Sequence, residues 1–241
     1  MPDEQLDTPK SSSNLLDLAL YIAGGVGILF LVTTIAGLFI HRLSIWVTLA
    51  AGLLNALFLI GSVYLLGIRR GKTNWVDMGL LPINWQWRWL WMAVGITLLF
   101  IPLRTGITLA AQMLIEGSMD SILARGDLFS GGAGFSWSNF GISLLSLALI
   151  APISEEVYFR GLIHRWFQPR MAFWPRVLTS SALFGLAHFD SVGVVLSSFI
   201  LGIVNAIAYE KSKSLWPPIL IHGASNSIAV ITLYINMAVG G

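Results

Sequence analysis

Stretches of about twenty apolar residues alternate with short polar clusters along most of the chain. A helix needs about 20 apolar residues to cross a bilayer, so each long stretch predicts a membrane-spanning helix. We count seven spans, and eight is the alternative count, because Pro102 lies inside the third stretch and a proline can divide a helix. The predicted spans are residues 18–40, 46–68, 89–115, 140–166, 173–188, 192–209 and 216–239.

Composition supports the same class of protein. Hydrophobic side chains make up 56% of the 241 residues and charged ones only 11%, whereas about 25% are charged in an average soluble domain. The fold expected is therefore an all-α, polytopic transmembrane bundle. The chain has no cysteine, which excludes disulfides, thiolate zinc sites and cysteine nucleophiles.

The basic residues predict an orientation. Loops rich in Lys and Arg are retained on the cytoplasmic side, and ten basic residues fall on one side of the predicted spans against two, Arg42 and Arg125, on the other. The N-terminus is therefore expected in the cytoplasm and, with seven spans, the C-terminus on the opposite side. This distribution accounts for the net charge of +2, so no nucleic-acid partner is expected. The ten are Lys10, Arg69, Arg70, Lys72, Arg88, Arg165, Arg170, Arg176, Lys211 and Lys213.

The pattern divides the chain into three regions. Residues 1–14 form a polar cytoplasmic tail without the basic start and cleavage site of a removable signal. Residues 15–138 hold three spans and a polar loop, 116–139, whose glycines predict a flexible, exposed connection. Residues 139–241 form the C-terminal core with spans four to seven. An N-terminus without a transit-like, Arg-rich segment favours a prokaryotic cytoplasmic membrane.

Ionisable groups within spans are costly in lipid and indicate functional sites. They concentrate in the C-terminal core, where Glu155, Glu156 and Arg160 share one span and His188 closes the next. The last span carries His222 and Asn226. Arg104, in the third span, is expected to snorkel to an interface, and pairing with a glutamate is the alternative.

Helical geometry gives the two glutamates different tasks. Glu156 and Arg160 are four residues apart and stack on one face, whereas Glu155 points about 100° away. A carboxylate paired with a guanidinium is a poor base, and an unpaired one in apolar surroundings binds a proton more readily. Glu155 is therefore the candidate base, and Glu156 with Arg160 its buried support. The alternative is a charge cluster that only holds helices together.

The two histidines and the asparagine complete a hydrolytic set. His188 lies four residues after Phe184, and Asn226 four residues after His222, so each pair shares a helix face. The ring and amide N–H groups of His222 and Asn226 are suitable donors to an oxyanion. Helical rise puts Glu155, His188 and His222 at similar depths.

These motifs, S-E-E-V-Y-F-R from Ser154, F-G-L-A-H from Phe184 and H-G-A-S-N from His222, resemble the three signatures of the CPBP intramembrane protease family. This family includes the type II CAAX prenyl endopeptidases and the Abi proteins. Its patterns are EExxxR, FxxxH and HxxxN/D. The resemblance covers about residues 140–239.

The resemblance implies an intramembrane endopeptidase acting on membrane-associated proteins or peptides among membrane lipid. In such an enzyme Glu155 and His188 activate water, His222 and Asn226 stabilise the tetrahedral intermediate, and Glu156, Arg160 and Phe184 support them. No cofactor is expected, although His188, His222 and Glu155 would form a His₂Glu zinc site if a metal is bound.

Two other functions fit the sequence. One is a catalytically idle scaffold or bacteriocin-immunity-type membrane protein that keeps the motif as a packing network. The other is a small-solute transporter with a charge relay, which the absence of paired, interrupted helices in two matching halves disfavours.

Overall fold

A computed structural model describes residues 13–38, 42–83, 85–132 and 134–240, and the regular secondary structure of these residues is entirely helical. Most of the predicted tail, residues 1–12, lies outside the described residues. We label eight helices in chain order. They are α1 (Leu15–Ile35), α2 (Ile45–Ile68), α3 (Trp87–Glu116), α4 (Asp120–Ser130), α5 (Trp137–Phe167), α6 (Phe173–Leu186), α7 (Val192–Ser212) and α8 (Trp216–Gly240).

Six of the described helices are long and apolar enough to cross a membrane, namely all except α4 and α6. This confirms the expected all-α, integral membrane fold. The predicted count of seven differs at α6, because its 14 residues rise only about 21 Å, less than the roughly 30 Å of the hydrocarbon core. The predicted orientation of the termini and the division of the chain at residues 14 and 138 stay predictions.

Although α6 is short, it lies against α7 along its length. Near its start, Arg176 binds Glu210 on the last turns of α7, with Nε 2.5 Å from Oε1. Near its end, Gly185 approaches α7 so closely that a Cβ at this position would lie 2.8 Å from the Val195 carbonyl oxygen. The two helices are therefore antiparallel neighbours, and His188 follows the end of α6 close to the first turns of α7.

The polar loop 116–139 was expected to be a flexible, exposed connection, and the helical structure of its middle part differs from that expectation. Residues 120–130 form α4, whose last carbonyl groups accept hydrogen bonds from the bundle. Thr48 donates to the Leu128 carbonyl, and Ser143 donates to the Phe129 carbonyl over 2.7 Å. Arg125 also pairs with Asp190, beyond the end of α6. These polar contacts hold α4 against one end of the bundle.

A contact between Gly25 and Tyr158 joins α1 to α5. The Tyr158 ring is buried, its hydroxyl donates to the Tyr21 carbonyl over 2.7 Å, and the ring occupies the space that a Cβ on Gly25 would need. Gly25 thereby permits close packing between the N-terminal helix and the helix that carries both glutamates.

Replacing Gly25 with alanine is expected to destabilise the bundle by about 1–3 kcal/mol, because overpacking displaces a buried ring. Thermal unfolding in detergent measures this as a lower midpoint. Gly61→Ala is the matched control, since a Cβ added at Gly61 would meet no neighbouring atom within 4 Å. Equal midpoints for the two variants would contradict the proposed close contact.

Candidate active site

Glu155 and Glu156 point to different sides of α5, as the helical geometry predicts. Residues 151–158 are α-helical, so adjacent side chains diverge by about 100°. Glu155 lines a cavity, whereas Glu156 is completely buried behind it. The two neighbouring carboxylates therefore have different surroundings.

Glu156 is the centre of a buried polar network. Its Oε2 lies 3.0 Å from Nε of Arg160, one turn along the same helix. Its Oε1 accepts hydrogen bonds from Asn205 Nδ2 on α7 and from His222 Nδ1 on α8, each over 2.8 Å. Glu156 and Arg160 are both 0% exposed. This carboxylate thus connects three helices and is not available to act on a substrate.

Glu155 faces two imidazole rings. Its Oε2 lies 3.7 Å from His188 Nε2 and 3.8 Å from His222 Nε2. These separations exceed a direct hydrogen bond and suit a bridging water. Within the described part of the chain, this buried oxygen has no hydrogen-bond partner. The three atoms therefore converge on a common point in the cavity.

The second nitrogen of each ring determines which atom faces Glu155. His188 Nδ1 lies 2.9 Å from the Phe184 carbonyl oxygen, which can only accept, so Nδ1 carries a proton. His222 Nδ1 lies against the Glu156 carboxylate in the same way. Each Nε2 is consequently free to meet water or substrate.

The Phe184 ring contacts Arg160 as well as the two candidate catalytic histidines, His188 and His222. Its ring centroid is 4.9 Å from the Arg160 guanidinium carbon, 4.8 Å from the His188 ring and 5.5 Å from the His222 ring. A guanidinium over an aromatic face is a favourable cation–π contact. The fully buried Phe184 therefore separates Arg160 from the two imidazoles and fixes their spacing.

All four candidate catalytic residues line one cavity of about 370 Å³. The fourth, Asn226, donates one amide hydrogen to the Leu147 carbonyl of α5 over 2.8 Å, which leaves its second amide hydrogen for another acceptor. Residues from α2, α3 and α4 complete the wall, including Asn55, Arg104 and Arg125. The N-terminal helices thus contribute directly to the site.

Arg104 is bound inside the bundle and pairs with no glutamate of the described residues, so both expectations for it were wrong. Its Nε donates to the carbonyl and hydroxyl oxygens of Ser197 on α7 over 3.2 and 3.1 Å. Its Nη1 donates to the Ser225 hydroxyl on α8. Hydroxyl and carbonyl acceptors inside the bundle satisfy this guanidinium, which sequence spacing alone did not show.

Sequence reasoning missed two asparagines. Asn55 on α2 donates to Glu155 Oε1 over 3.2 Å, and Asn205 on α7 donates to Glu156 as described above. Both amides lie within otherwise apolar stretches, which is the signal that could have identified them. An amide without a partner is costly in lipid, so an asparagine within an apolar stretch indicates a buried polar contact even where no motif includes it.

A second polar cluster was also missed, away from the cavity. His164 on α5 contacts Ser180 Oγ through Nδ1 over 2.8 Å and Glu210 Oε1 through Nε2 over 2.9 Å. Glu210 also binds Arg176 and Lys213. The cluster joins α5, α6 and α7 near the ends of these helices that carry most of the basic residues, and it acts as a structural brace.

The donor chemistry of His188, His222 and Glu155 is that of a His₂Glu zinc site. Among the described residues, however, no group of three His, Cys, Asp or Glu side chains has the spacing to hold a metal ion. The arrangement does not fit a bound metal as it stands, so no catalytic step is assigned to one. The expectation of no cofactor stays a prediction.

Comparison with known proteins confirms the resemblance over the C-terminal region. Residues 137–228 match the family described as type II CAAX prenyl endopeptidase Rce1-like. An "Uncharacterized 24.3 kDa protein" of Escherichia coli is 28% identical over 94 residues, which is 37% of this chain and 43% of that protein. The "Putative membrane peptidase YdiL" of Bacillus subtilis (strain 168) is 30% identical over 90 residues, 37% of this chain and 36% of the relative.

The matched region spans less than half of either relative's own length, and no solved structure matches the chain significantly. The matched residues contain all three motifs, the whole of α5, α6 and α7, and about the first half of α8. These matches support a membrane peptidase at the level of the family.

Arg160→Ala is expected to destabilise the protein by about 3–5 kcal/mol, because it leaves the buried Glu156 carboxylate without its cation. Thermal unfolding and yield of folded protein in detergent measure the loss. Arg69→Ala is the matched control, since Arg69 is exposed and substitutions at exposed positions change stability little. The double variant Glu156→Gln with Arg160→Met should recover part of the stability, and a normal midpoint for Arg160→Ala would argue against the pairing.

Proposed function

We propose that this protein is an intramembrane endopeptidase that hydrolyses peptide bonds of membrane-associated proteins or peptides with a water activated by Glu155 and His188. One observation carries the proposal: Glu155 Oε2 lies 3.7 and 3.8 Å from the Nε2 atoms of His188 and His222 in a cavity lined by all three. A carboxylate and two imidazoles around one point can hold a water molecule and move its protons.

The nucleophile is formed by proton transfer to Glu155. A water between Oε2 and His188 Nε2 donates one hydrogen bond to each, and its oxygen is directed at the substrate carbonyl carbon. As the water oxygen attacks the carbonyl carbon, one water proton moves to Glu155. The π electrons of the carbonyl group move onto the carbonyl oxygen, which becomes the oxyanion. Asn55 holds the other carboxylate oxygen and so keeps Oε2 turned towards the histidines.

His222 and Asn226 lie on the same face of α8 and are proposed to stabilise the oxyanion. The free amide hydrogen of Asn226 is one donor. His222 Nε2 is the second donor when both ring nitrogens carry protons, and Glu156 accepts the Nδ1 proton in that state. When the intermediate collapses, the C–N bond breaks and the proton on Glu155 passes to the leaving amine.

Family similarity and chain composition support the substrate class. The Rce1-like match and the name of the Bacillus relative both indicate peptidases, and the six apolar helices indicate that a substrate would be reached from the membrane. A prokaryotic cytoplasmic membrane with a cytoplasmic N-terminus is the location that we propose from the sequence.

A catalytically idle scaffold is the alternative function. The Glu156 network is favourable for packing alone, because it connects three helices through a carboxylate that does not itself line the cavity. Glu155 makes one interhelical hydrogen bond, from Asn55 to Oε1, while its Oε2 faces the cavity without a hydrogen-bond partner in the described residues. A substitution at Glu155 therefore distinguishes an endopeptidase, which would lose activity, from an idle scaffold, whose biological effect would persist.

Glu155→Gln is expected to lower hydrolysis about 10²- to 10⁴-fold, because an amide of similar shape cannot accept the proton. The measurement compares protein N-termini by mass spectrometry in membranes of cells that express either form at equal levels. Cleaved candidates are then tested with purified protein. New N-termini should be found with the original protein and be absent with Glu155→Gln.

Asp120→Asn is the matched acid-to-amide control, because Asp120 is exposed and is not part of the cavity lining. It should leave the new N-termini unchanged, and all three proteins should share one thermal midpoint. Cleavage that persists in Glu155→Gln would remove Glu155 as the base. A biological effect that persists without cleavage would favour the scaffold.

Turnover by purified protein is expected to be unchanged by millimolar EDTA, because the proposed mechanism assigns every proton transfer to the chain's own side chains. Elemental analysis of the same sample gives the metal content independently of activity. Activity lost with EDTA and restored by zinc would instead assign His188, His222 and Glu155 as ligands.

A further inference from the structure

A second cavity, of about 650 Å³, lies outside the catalytic site, as a groove between α3 and α7. Its walls are mostly apolar, and its polar lining comes from four residues at one end. These are Gln86, Arg88, Lys211 and Ser212. The groove is therefore apolar along most of its length and basic at the end formed by these four residues, which we call its mouth.

The two walls follow from helical periodicity. On α3, Arg88, Met92, Ile96 and Phe100 recur every four residues and form one stripe. On α7, Val204, Ile207, Ala208 and Lys211 recur at three- and four-residue intervals. Each stripe has its cation at the same end, so the two positive charges lie together at the mouth.

Each cation is exposed, and neither has an ionic partner in the described part of the chain. The acidic residue next to Lys211 in sequence, Glu210, is already occupied by His164, Arg176 and Lys213. Trp85 and Trp87 are exposed beside the mouth, while Trp89 is buried at the head of the groove. Exposed tryptophans and basic residues together are typical of headgroup depth.

The groove has the length of one leaflet. Twelve residues separate Arg88 from Phe100 on α3, and at 1.5 Å per residue this is about 18 Å. One leaflet contributes about half of the roughly 30 Å hydrocarbon core. An apolar channel that starts at headgroup depth and ends near the bilayer middle matches an acyl chain.

We propose that the groove between α3 and α7 is a binding site for an anionic phospholipid. The headgroup phosphate lies between Arg88 and Lys211, with Gln86 and Ser212 as further hydrogen-bond donors, and one acyl chain lies along the Met92–Ile96–Phe100 stripe. Basic pockets between membrane helices are suited to acidic headgroups. Two cations without carboxylates favour a lipid with net negative charge over a zwitterionic one, whose amine would be repelled.

The same lipid would also brace the catalytic half of the bundle. Beyond the groove, towards the C-terminal end of α3, Arg104 is bound to Ser197 of α7. The groove and the cavity therefore lie along the same pair of helices. Occupancy of the groove adds contacts between α3 and α7 at the end opposite to that bond. This site does not depend on the proposed hydrolysis, and its test needs no substrate.

The experiment measures binding of phosphatidylglycerol and phosphatidylcholine, with matched acyl chains, to the full chain by native mass spectrometry from detergent. We expect phosphatidylglycerol to bind more tightly. Arg88→Gln with Lys211→Gln should weaken its binding roughly tenfold and leave phosphatidylcholine unaffected. Raising the salt concentration should weaken phosphatidylglycerol binding in the same direction.

Two variants test whether the phospholipid binds in the groove between α3 and α7. Arg69→Gln removes a cation outside the groove lining and should leave the phosphatidylglycerol preference intact. Ile207→Trp fills the apolar length and should weaken the binding of both lipids, with the thermal midpoint in lipid-free detergent confirming that the protein is folded. A second groove variant, Met92→Trp, replaces Ile207→Trp if the latter is unstable.

Equal affinity for the two lipids would overturn the proposal, as would a loss of preference in Arg69→Gln as large as in the double variant. Phosphatidylglycerol binding that is unchanged by both the charge and the filling variants would place its site elsewhere on the protein.

Discussion

The ion pair between Glu156 and Arg160 is the interaction on which the rest of the site depends. Both side chains are fully buried, and a bare charge in such surroundings costs several kcal/mol. The carboxylate therefore needs the positive charge of Arg160 on its own helix and the N–H donors of Asn205 on α7 and His222 on α8. Satisfying one buried carboxylate fixes three helices relative to each other.

This constraint also orients the chemistry. With Nδ1 of His222 held by Glu156, Nε2 is directed at Glu155. Phe184 contacts both the Arg160 guanidinium and the His188 ring, and His188 Nε2 lies 3.7 Å from the same Glu155 oxygen. The adjacent glutamates thus serve two needs. Glu156 holds the helices, and Glu155 keeps one carboxylate oxygen, Oε2, without a hydrogen-bond partner in the described residues and so able to exchange a proton.

The N-terminal half has more influence on the site than its simple apolar pattern indicates. Asn55 positions Glu155, Gly25 allows α1 to pack on α5, and Arg104 links α3 to α7 and α8. Residues 120–130, which contain enough polar groups to resemble a loop, fold as a helix because Thr48 and Ser143 satisfy the backbone carbonyls at its end. Polar contacts between distant segments decide each of these features.

The sequence by itself determined the membrane class, most of the helix positions and the motif residues, because hydropathy over twenty residues and periods of three to four residues are local properties. The separate faces of Glu155 and Glu156 followed from helical geometry in the same way. The tertiary structure decided what depends on neighbours distant in sequence: the partners of Arg104, the amides of Asn55 and Asn205, the brace at Glu210 and the packing of α4. In an apolar bundle a polar side chain binds whichever acceptor or donor the packing brings within reach, and no local pattern specifies that partner.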